Sequence, residues 1–128
     1  MDVVTPKIFF EDDRGYIKDI LVREPVDAIT VITSKKGAVR ANHYHKDTIQ
    51  WLYVHSGSVR YLSQSGDEPV AAQTLNEGDL VKTDILEKHA VKALEDSLFY
   101  IFTRGPRGGE NYEDDTFGLD QPLQDPDE

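Results

Sequence analysis

The chain has 128 residues, no cysteine, and 24 acidic against 14 basic side chains, giving a formal net charge of −10. This length predicts one domain with a single hydrophobic core, and the lack of cysteine excludes disulfides, thiolate metal sites and cysteine nucleophiles. The acidic balance argues against a nucleic-acid surface, and the lack of a long apolar run predicts a cytoplasmic protein with no membrane partner.

Short segments rich in β-branched and aromatic residues follow one another along the chain, with glycine-containing turns between them. In chain order they are 28–33, 49–55, 58–62, 70–75, 80–83, 89–94 and 98–103. Residues 17–22 fit either a further strand or a short helix. Many short strands with no helical period over three turns predict an all-β sandwich or barrel.

The negative charge is concentrated at the C-terminal end. Residues 110–128 contain eight acidic residues and no lysine or arginine, so residues 1–109 carry a net charge of only −2. We therefore divide the chain into a β domain, 1–109, and an acidic tail or arm, 110–128. The composition of the tail is compatible with two alternatives: a solvated, partly disordered end, or an arm that docks on the body or on a partner subunit. For the last six residues it favours the solvated end.

Three of the four histidines form a pattern that suggests a metal or catalytic site. His43 and His45 are two residues apart, so on a strand both project to the same face. His89 lies on a later predicted strand, ten residues after Gly78. Neutral imidazoles bind Zn, Fe, Ni and Cu, and three that converge leave a coordination position open.

The spacing of these residues resembles the cupin family. Gly37, His43, His45 and Gly57 occupy four of the five fixed positions of the first cupin motif, G-x5-H-x-H-x3/4-E-x6-G, and His89 matches the second motif. The resemblance covers about residues 28–103. It implies a cupin-type jelly-roll β-barrel that encloses a ligand cavity.

In cupins the two motifs together hold one divalent metal ion, which implies His43, His45, Gln50 and His89 as the ligands here. Zn, Fe, Mn and Ni all suit such a set, and the sequence does not choose among them. Gln50 stands where the motif has glutamate, and its neutral amide binds a cation more weakly than a carboxylate does. A cupin without metal, whose histidines donate hydrogen bonds or move protons, is the alternative.

Two further strings resemble the sugar-nucleotide cupins, which are epimerases and isomerases of nucleotide-linked keto sugars. Residues 12–17 resemble their D-x-R-G turn, and residues 40–46, Arg-Ala-Asn-His-Tyr-His-Lys, resemble their histidine stretch and that of cupin domains attached to capsular-sugar reductases. The resemblance implies His43 as a base that removes a proton next to a ketone and Arg40 as a contact to the nucleotide diphosphate. Strict alternation along the strand, however, places Arg40 on the face opposite to His43.

Three functions follow from these patterns. The first is an isomerase or epimerase of a nucleotide-linked keto sugar, acting in polysaccharide biosynthesis. The second is a metal-dependent oxygenase with three histidine ligands, and the third is a non-enzymatic cupin that binds a small molecule. Trp51 and Tyr53 lie opposite to Gln50 in strand parity, which predicts an apolar outer face covered by a second sheet or by the partner in a homodimer.

Overall fold

A computed structural model describes all 128 residues, as twelve β-strands and no helix. In chain order the strands are β1 (Asp2–Val4), β2 (Ile8–Asp12), β3 (Gly15–Lys18), β4 (Ala28–Ser34), β5 (Val39–Tyr44), β6 (Ile49–Ser56), β7 (Ser58–Gln64), β8 (Ala71–Asn76), β9 (Leu80–Thr83), β10 (Lys88–Ala93), β11 (Ser97–Arg104) and β12 (Phe117–Gly118). The chain has no helix that is able to span a membrane. The all-β prediction is confirmed, and all seven predicted segments correspond to strands.

Ten of the strands form two five-stranded antiparallel sheets. The first has the order β1-β9-β6-β11-β4 and the second the order β12-β5-β10-β7-β8, while β2 and β3 form a separate hairpin. The sheets pack as the two layers of a jelly roll without closing into a continuous barrel. Apart from the hairpin of β7 and β8, neighbouring strands in each sheet are not consecutive in the chain, which is characteristic of this topology.

The core lies between the two sheets. Alternate residues of each strand face inward, as the β period requires. On β11, Phe99 and Ile101 are 1% and 7% exposed, whereas Tyr100 and Phe102, at the alternate positions, face outward. The inward-facing cluster consists of Leu52, Val54, Val59, Tyr61, Leu75, Val81, Val91, Phe99 and Ile101. Five residues of this cluster line the cavity of the candidate site, namely Leu52, Tyr61, Val91, Phe99 and Ile101.

The outer face of the first sheet is partly covered by the chain itself. Trp51 and Tyr53 are each 5% exposed, and Ile20 and Leu21 pack against them. The prediction that a second sheet or subunit covers Trp51 and Tyr53 is therefore wrong. The segment after β3, which contains no regular strand or helix, provides the cover.

The acidic segment from residue 110 to the C-terminus lies along the body. β12 pairs with β5, and the main-chain N–H of Leu123 donates to the side-chain oxygen of Asn42 at 2.9 Å. Composition favours a solvated end for the last six residues, but Asp125 and Asp127 form ion pairs with Arg60 at 2.7 and 2.6 Å. The structure thus attaches the tail to its own body, and the boundary at residue 109 stays a prediction.

Candidate functional site

A β-bulge distorts β5 just before the first histidine. Ala90 of β10 pairs with Ala41, whereas the preceding residue, His89, pairs with His43, so β5 contains one extra residue here. Ala41 and Asn42 have positive φ angles of 73° and 56°, a region that asparagine tolerates better than most residues. The extra residue reverses the alternation of side chains along β5.

Three histidine rings meet inside the jelly roll. His43 and His89 face each other on neighbouring strands with ring centroids 4.6 Å apart. His45 follows directly after β5, and its ring centroid is 4.8 Å from that of His43 and 5.2 Å from that of His89. One nitrogen from each ring lies within 4.8 Å of the others. The structure therefore brings together all three histidines that the motifs indicate.

Two of the three histidines, His43 and His89, open onto a cavity of about 80 Å³ between the sheets. Its other lining residues are Ile32, Arg40, Ala41, Gln50, Leu52, Tyr61, Thr83, Val91, Phe99, Ile101 and Arg107. None of them is acidic. The cavity is thus an apolar pocket with imidazoles, one amide, hydroxyls and two guanidinium groups as its polar lining.

Main-chain carbonyl groups fix the orientation of two of the rings. His45 Nδ1 lies 2.9 Å from the carbonyl oxygen of Asp115, and His89 Nδ1 lies 3.0 Å from that of Glu87. A carbonyl oxygen only accepts, so each Nδ1 carries the proton and each Nε2 keeps its lone pair. His45 Nε2 is buried and has no hydrogen-bond partner, as expected of a donor atom oriented towards a ligand.

Burial keeps all three imidazoles neutral. Together with smaller effects of the neighbouring histidines and Arg107, it lowers the pKa of His43 to about 4 and that of His89 to about 3. Burial also lowers the pKa of His45, although the carbonyl group of Asp115 partly opposes the shift. Neutral imidazole is the form that binds a metal ion or accepts a proton.

Gln50, the fourth residue that the motif indicates, lies in the same cavity. It is 8% exposed, and its amide nitrogen donates to the hydroxyl of Thr103 at 3.4 Å. The amide oxygen is the atom that remains for a cation. Three neutral imidazoles and one neutral amide form a donor set with no negative charge.

Arg40 faces the cavity, contrary to the strict alternation expected of β5. It pairs with Val91, which lies two residues after His89 on β10, and directly opposed residues share a face of the sheet. Arg40 therefore lies on the same face as His43. The bulge is the reason why the alternation fails.

The guanidinium group of Arg40 is held at one end of the cavity. Its Nε donates to the hydroxyl of Ser34 at 2.6 Å and its Nη2 to the carbonyl oxygen of Thr33 at 2.9 Å. The same side chain also lines an open groove of about 670 Å³, together with Lys35 and several hydroxyl groups. Arg40 thus connects the enclosed cavity with the groove.

Arg107 is a cavity residue that the motifs do not indicate. It lies in the turn Gly105-Pro106-Arg107-Gly108-Gly109, directly after β11. The only sequence signal for Arg107 is that it is a cationic residue in a glycine-rich turn at the end of a core strand.

The D-x-R-G turn is not part of this cavity. It joins β2 and β3, and Arg14 forms an exposed ion pair with Asp12 at 2.7 Å. Within one chain, the structure does not bring these residues to the histidines.

Leu86 stands where the second cupin motif has glycine. It adopts a φ of 64° and is 58% exposed, and its N–H donates to the carbonyl oxygen of His45 at 2.6 Å. The turn therefore keeps the glycine-like conformation although the residue is leucine, and the backbone of Leu86 is strained as a result.

No protein-family model matches the chain, and no curated protein is similar to it in sequence. Solved structures with the same fold are found. These structures share the all-β fold of the chain.

One such structure is dTDP-4-dehydrorhamnose 3,5-epimerase from Sulfolobus tokodaii, with 24% identity and a TM-score of 0.72 over 84% of this chain and 72% of that one. Another is QdtA, a sugar 3,4-ketoisomerase from Thermoanaerobacterium thermosaccharolyticum in complex with TDP, with 18% identity and a TM-score of 0.75 over 93% and 88% of the two chains. The capsular polysaccharide assembling protein CapF from Staphylococcus aureus has 18% identity and a TM-score of 0.66 over 89% of this chain. The chain spans about a third of CapF, 32% of its length.

Proposed function

We propose that this protein is an isomerase or epimerase of a nucleotide-linked keto sugar. The observation that supports this most directly is the position of His43 beside two other neutral histidines, on the same face as Arg40. The structural similarity to a dehydrorhamnose epimerase and a ketoisomerase supports the same reaction class. All of these reactions require a proton to be removed from a carbon atom next to a ketone.

In the proposed reaction His43 is the base. The bond between the α-carbon and its hydrogen breaks, the proton goes to an imidazole nitrogen, and the electron pair moves to the ketone oxygen to form an enolate. Protonation of the same carbon from the other face gives the epimer. Protonation of the former ketone carbon, with transfer of the neighbouring hydroxyl proton to the former ketone oxygen, gives the isomer. No main-chain carbonyl fixes a ring nitrogen of His43, in contrast to His45 and His89. Either ring nitrogen of His43 is therefore free to carry the lone pair that accepts the proton.

Arg40 is the proposed contact to the diphosphate. A guanidinium group binds phosphate oxygens through paired N–H donors, and Arg40 lies where the cavity meets the open groove. The cavity itself has room for part of a sugar but not for a nucleotide. The sugar would therefore enter towards the histidines, and the nucleotide would occupy the groove.

Solvent exchange tests this proposal directly. TDP-4-keto-6-deoxyglucose is incubated with the protein in D₂O, and loss of the proton signals next to the ketone is followed by NMR. We expect exchange that His43→Asn slows by about 10²–10⁴-fold. The matched control is His55→Asn, because His55 is the one histidine on the outer face, where it contacts Tyr100. Exchange that persists in His43→Asn contradicts His43 as the base.

We also propose that the site binds a divalent metal ion through His43, His45 and His89, with Gln50 as a fourth ligand. The neutral imidazoles and the unpartnered Nε2 of His45 fit such an ion, and the carbonyl contacts to Nδ1 are of the kind that orient metal-binding histidines. When bound, the ion would act as a Lewis acid towards a substrate oxygen. Because one lone pair cannot bind a metal and accept a proton at once, ligand and base are alternative roles for His43.

Metal analysis of untagged protein separates these roles. We expect about one equivalent of Zn, Fe, Mn or Ni, lost in His89→Ala and retained in His55→Ala. If His43→Asn keeps the metal but loses proton exchange, His43 is the base; if it loses the metal, His43 is a ligand. A protein that binds none of the four ions when they are added contradicts the metal site.

The three-histidine oxygenase is the second candidate, and the convergence of three neutral histidines supports it. An all-histidine site is compatible with iron, whereas the facial triad of two histidines and a carboxylate is not present. Oxygen consumption by the iron-loaded protein, in the presence of candidate small molecules, would support this activity over isomerisation.

We propose a homodimer that forms through an exposed apolar strip on the outer face of the first sheet. Ile29 and Val31 of β4 are 68% and 56% exposed on the outer face of the first sheet, beside Tyr100 and Phe102. A second copy of the chain would bury this strip. We expect twice the monomer mass by light scattering, and a monomer for Val31→Glu. A wild-type protein that is monomeric at micromolar concentration contradicts the dimer.

A further inference from the structure

Arg107 reaches the cavity because of the tight turn that precedes it. Gly105 has a φ of 140°, and a Cβ atom at this position would lie 2.9 Å from Cα of Thr48 and 2.8 Å from the carbonyl oxygen of Asp47. Only glycine fits such a close approach at this φ. The chain therefore turns against the loop after β5, and Arg107 enters the cavity beside the histidines.

The charge of Arg107 is not balanced by any group of the protein. Its Nη1 is buried and has no hydrogen-bond partner, and Arg107 takes part in none of the six ion pairs of the structure. No acidic side chain lines the cavity. Arg107 is half-buried as a residue, but a buried N–H group without a partner is costly and is normally hydrogen-bonded.

Arg107 and Arg40 both line the cavity. The positive charge of Arg107 contributes to the lowered pKa of His43, His45 and His89. The two guanidinium groups also approach from opposite ends of β11: Arg40 donates to Ser34, which pairs with the first residue of that strand, and Arg107 follows its last residue. The cavity therefore has a second cationic group, separate from Arg40.

We propose that Arg107 is an anion-binding group that holds a carboxylate of a small ligand against the three histidines. The planar fork of N–H donors suits two oxygens of one carboxylate. A cavity of about 80 Å³ admits an anion of a few heavy atoms. The neutral amide of Gln50, where the cupin motif has an acid, leaves the compensating negative charge to the ligand. This inference does not depend on the proposed isomerase, because it needs no proton transfer.

Acetate and oxalate, titrated into the metal-free protein, are the probes. In the wild-type protein the NMR signal of the Arg107 side-chain N–H should shift and saturate, while that of Arg104 should not. Arg104 is the matched control because it lies on the outer face over Trp51 and pairs with Glu24. Arg107→Gln should weaken binding by about tenfold or more, Arg107→Lys by less, and Arg104→Gln by less than twofold.

Several outcomes would overturn the proposal. One is unchanged affinity in Arg107→Gln, and another is an equal loss in Arg104→Gln, which would show a general effect of net charge. If the variants do not fold, an Arg107 signal in the wild-type protein that does not shift on titration also contradicts the proposal. Binding that persists in His43→Asn supports the anion site even if proton exchange is never observed, so this test and that of the isomerase can fail separately.

Discussion

Replacement of Asp115 by alanine tests how far the acidic tail supports the histidine cluster. The carboxylate of Asp115 accepts hydrogen bonds from the N–H of Lys46 at 3.0 Å, the N–H of Asp47 at 2.8 Å and the hydroxyl of Thr48 at 2.7 Å. The same residue offers its carbonyl oxygen to His45 Nδ1. Loss of the carboxylate releases the loop that follows His45 and the carbonyl that orients its ring.

The expected magnitude follows from these contacts. Hydrogen bonds to a charged acceptor contribute about 1.5–3 kcal/mol each when well shielded. Two of the three are solvent-exposed, but the hydroxyl of Thr48 belongs to a fully buried residue. We therefore expect Asp115→Ala to lower the free energy of unfolding by about 2–4 kcal/mol. Metal affinity should fall by about 10–100-fold, the usual effect of losing a group that orients a ligand.

Two variants separate the causes. Asp114→Ala makes the same change in net charge, but the carboxylate of Asp114 makes no hydrogen bond, so stability should change by less than about 0.5 kcal/mol. Asp115→Asn keeps an oxygen acceptor and tolerates the φ of 56° at this position, so its effects should lie between those of Asp114→Ala and Asp115→Ala.

Denaturant unfolding, chelator competition for Zn²⁺ and the ¹⁵N shifts of His45 provide the readouts. In the metal-free wild-type protein the proton should be on Nδ1 of His45. If Asp115→Ala retains this tautomer and the wild-type Zn²⁺ affinity, the tail does not position His45.

Three further predictions concern strain, charge and ligand linkage. Leu86→Gly should raise stability by about 0.5–1 kcal/mol, measured as a higher Tm, because glycine adopts the positive φ without strain; a lower Tm would show that Leu86 contributes contacts of its own. The guanidinium group of Arg60 holds the pKa of Asp125 below its ordinary value of 3.8, with Asp127 and Lys92 nearby, so this contact is present above that pH and is lost as the pH falls through the lowered pKa. The protection factors of the last residues against hydrogen exchange should therefore fall only below about pH 4, and a loss of protection already at pH 6 would contradict it. Addition of a metal ion at 100 times its Kd should stabilise the fold by about 2.7 kcal/mol, reversed by chelation, whereas an unchanged Tm would contradict a native site.

Most of the strands and the histidine cluster could be predicted from local sequence patterns. Alternation and turn residues locate the segments from 28 to 103, because each strand must present every second side chain to one core. The resemblance of the histidine spacing to the cupin motifs likewise implies that His43, His45 and His89 converge, and the structure shows this.

What local patterns could not predict depends on contacts between distant parts of the chain. The bulge at Ala41 and Asn42 uses no glycine, so the turn of Arg40 into the cavity leaves no signal in the alternation. The position of Arg107 could be predicted only if the loop against which Gly105 packs were known. The tail depends on pairing between residues almost seventy positions apart in the chain, as between Asp115 and Asp47, which composition does not encode.

The position of β12 has a consequence for association between molecules. β5 is bordered on one side by β10 and on the other only by the two residues of β12 and by Leu119, whose N–H donates to the carbonyl of Asn42. Without this cover, the strand that carries His43 would be a free edge whose unpaired N–H and C=O groups could recruit a strand from another chain. The bulge protects part of this edge by its twist, and the tail protects the remainder. Removal of residues 110–128 should therefore promote aggregation as well as disturb His45, so a C-terminal deletion is a poor way to isolate the body of this protein.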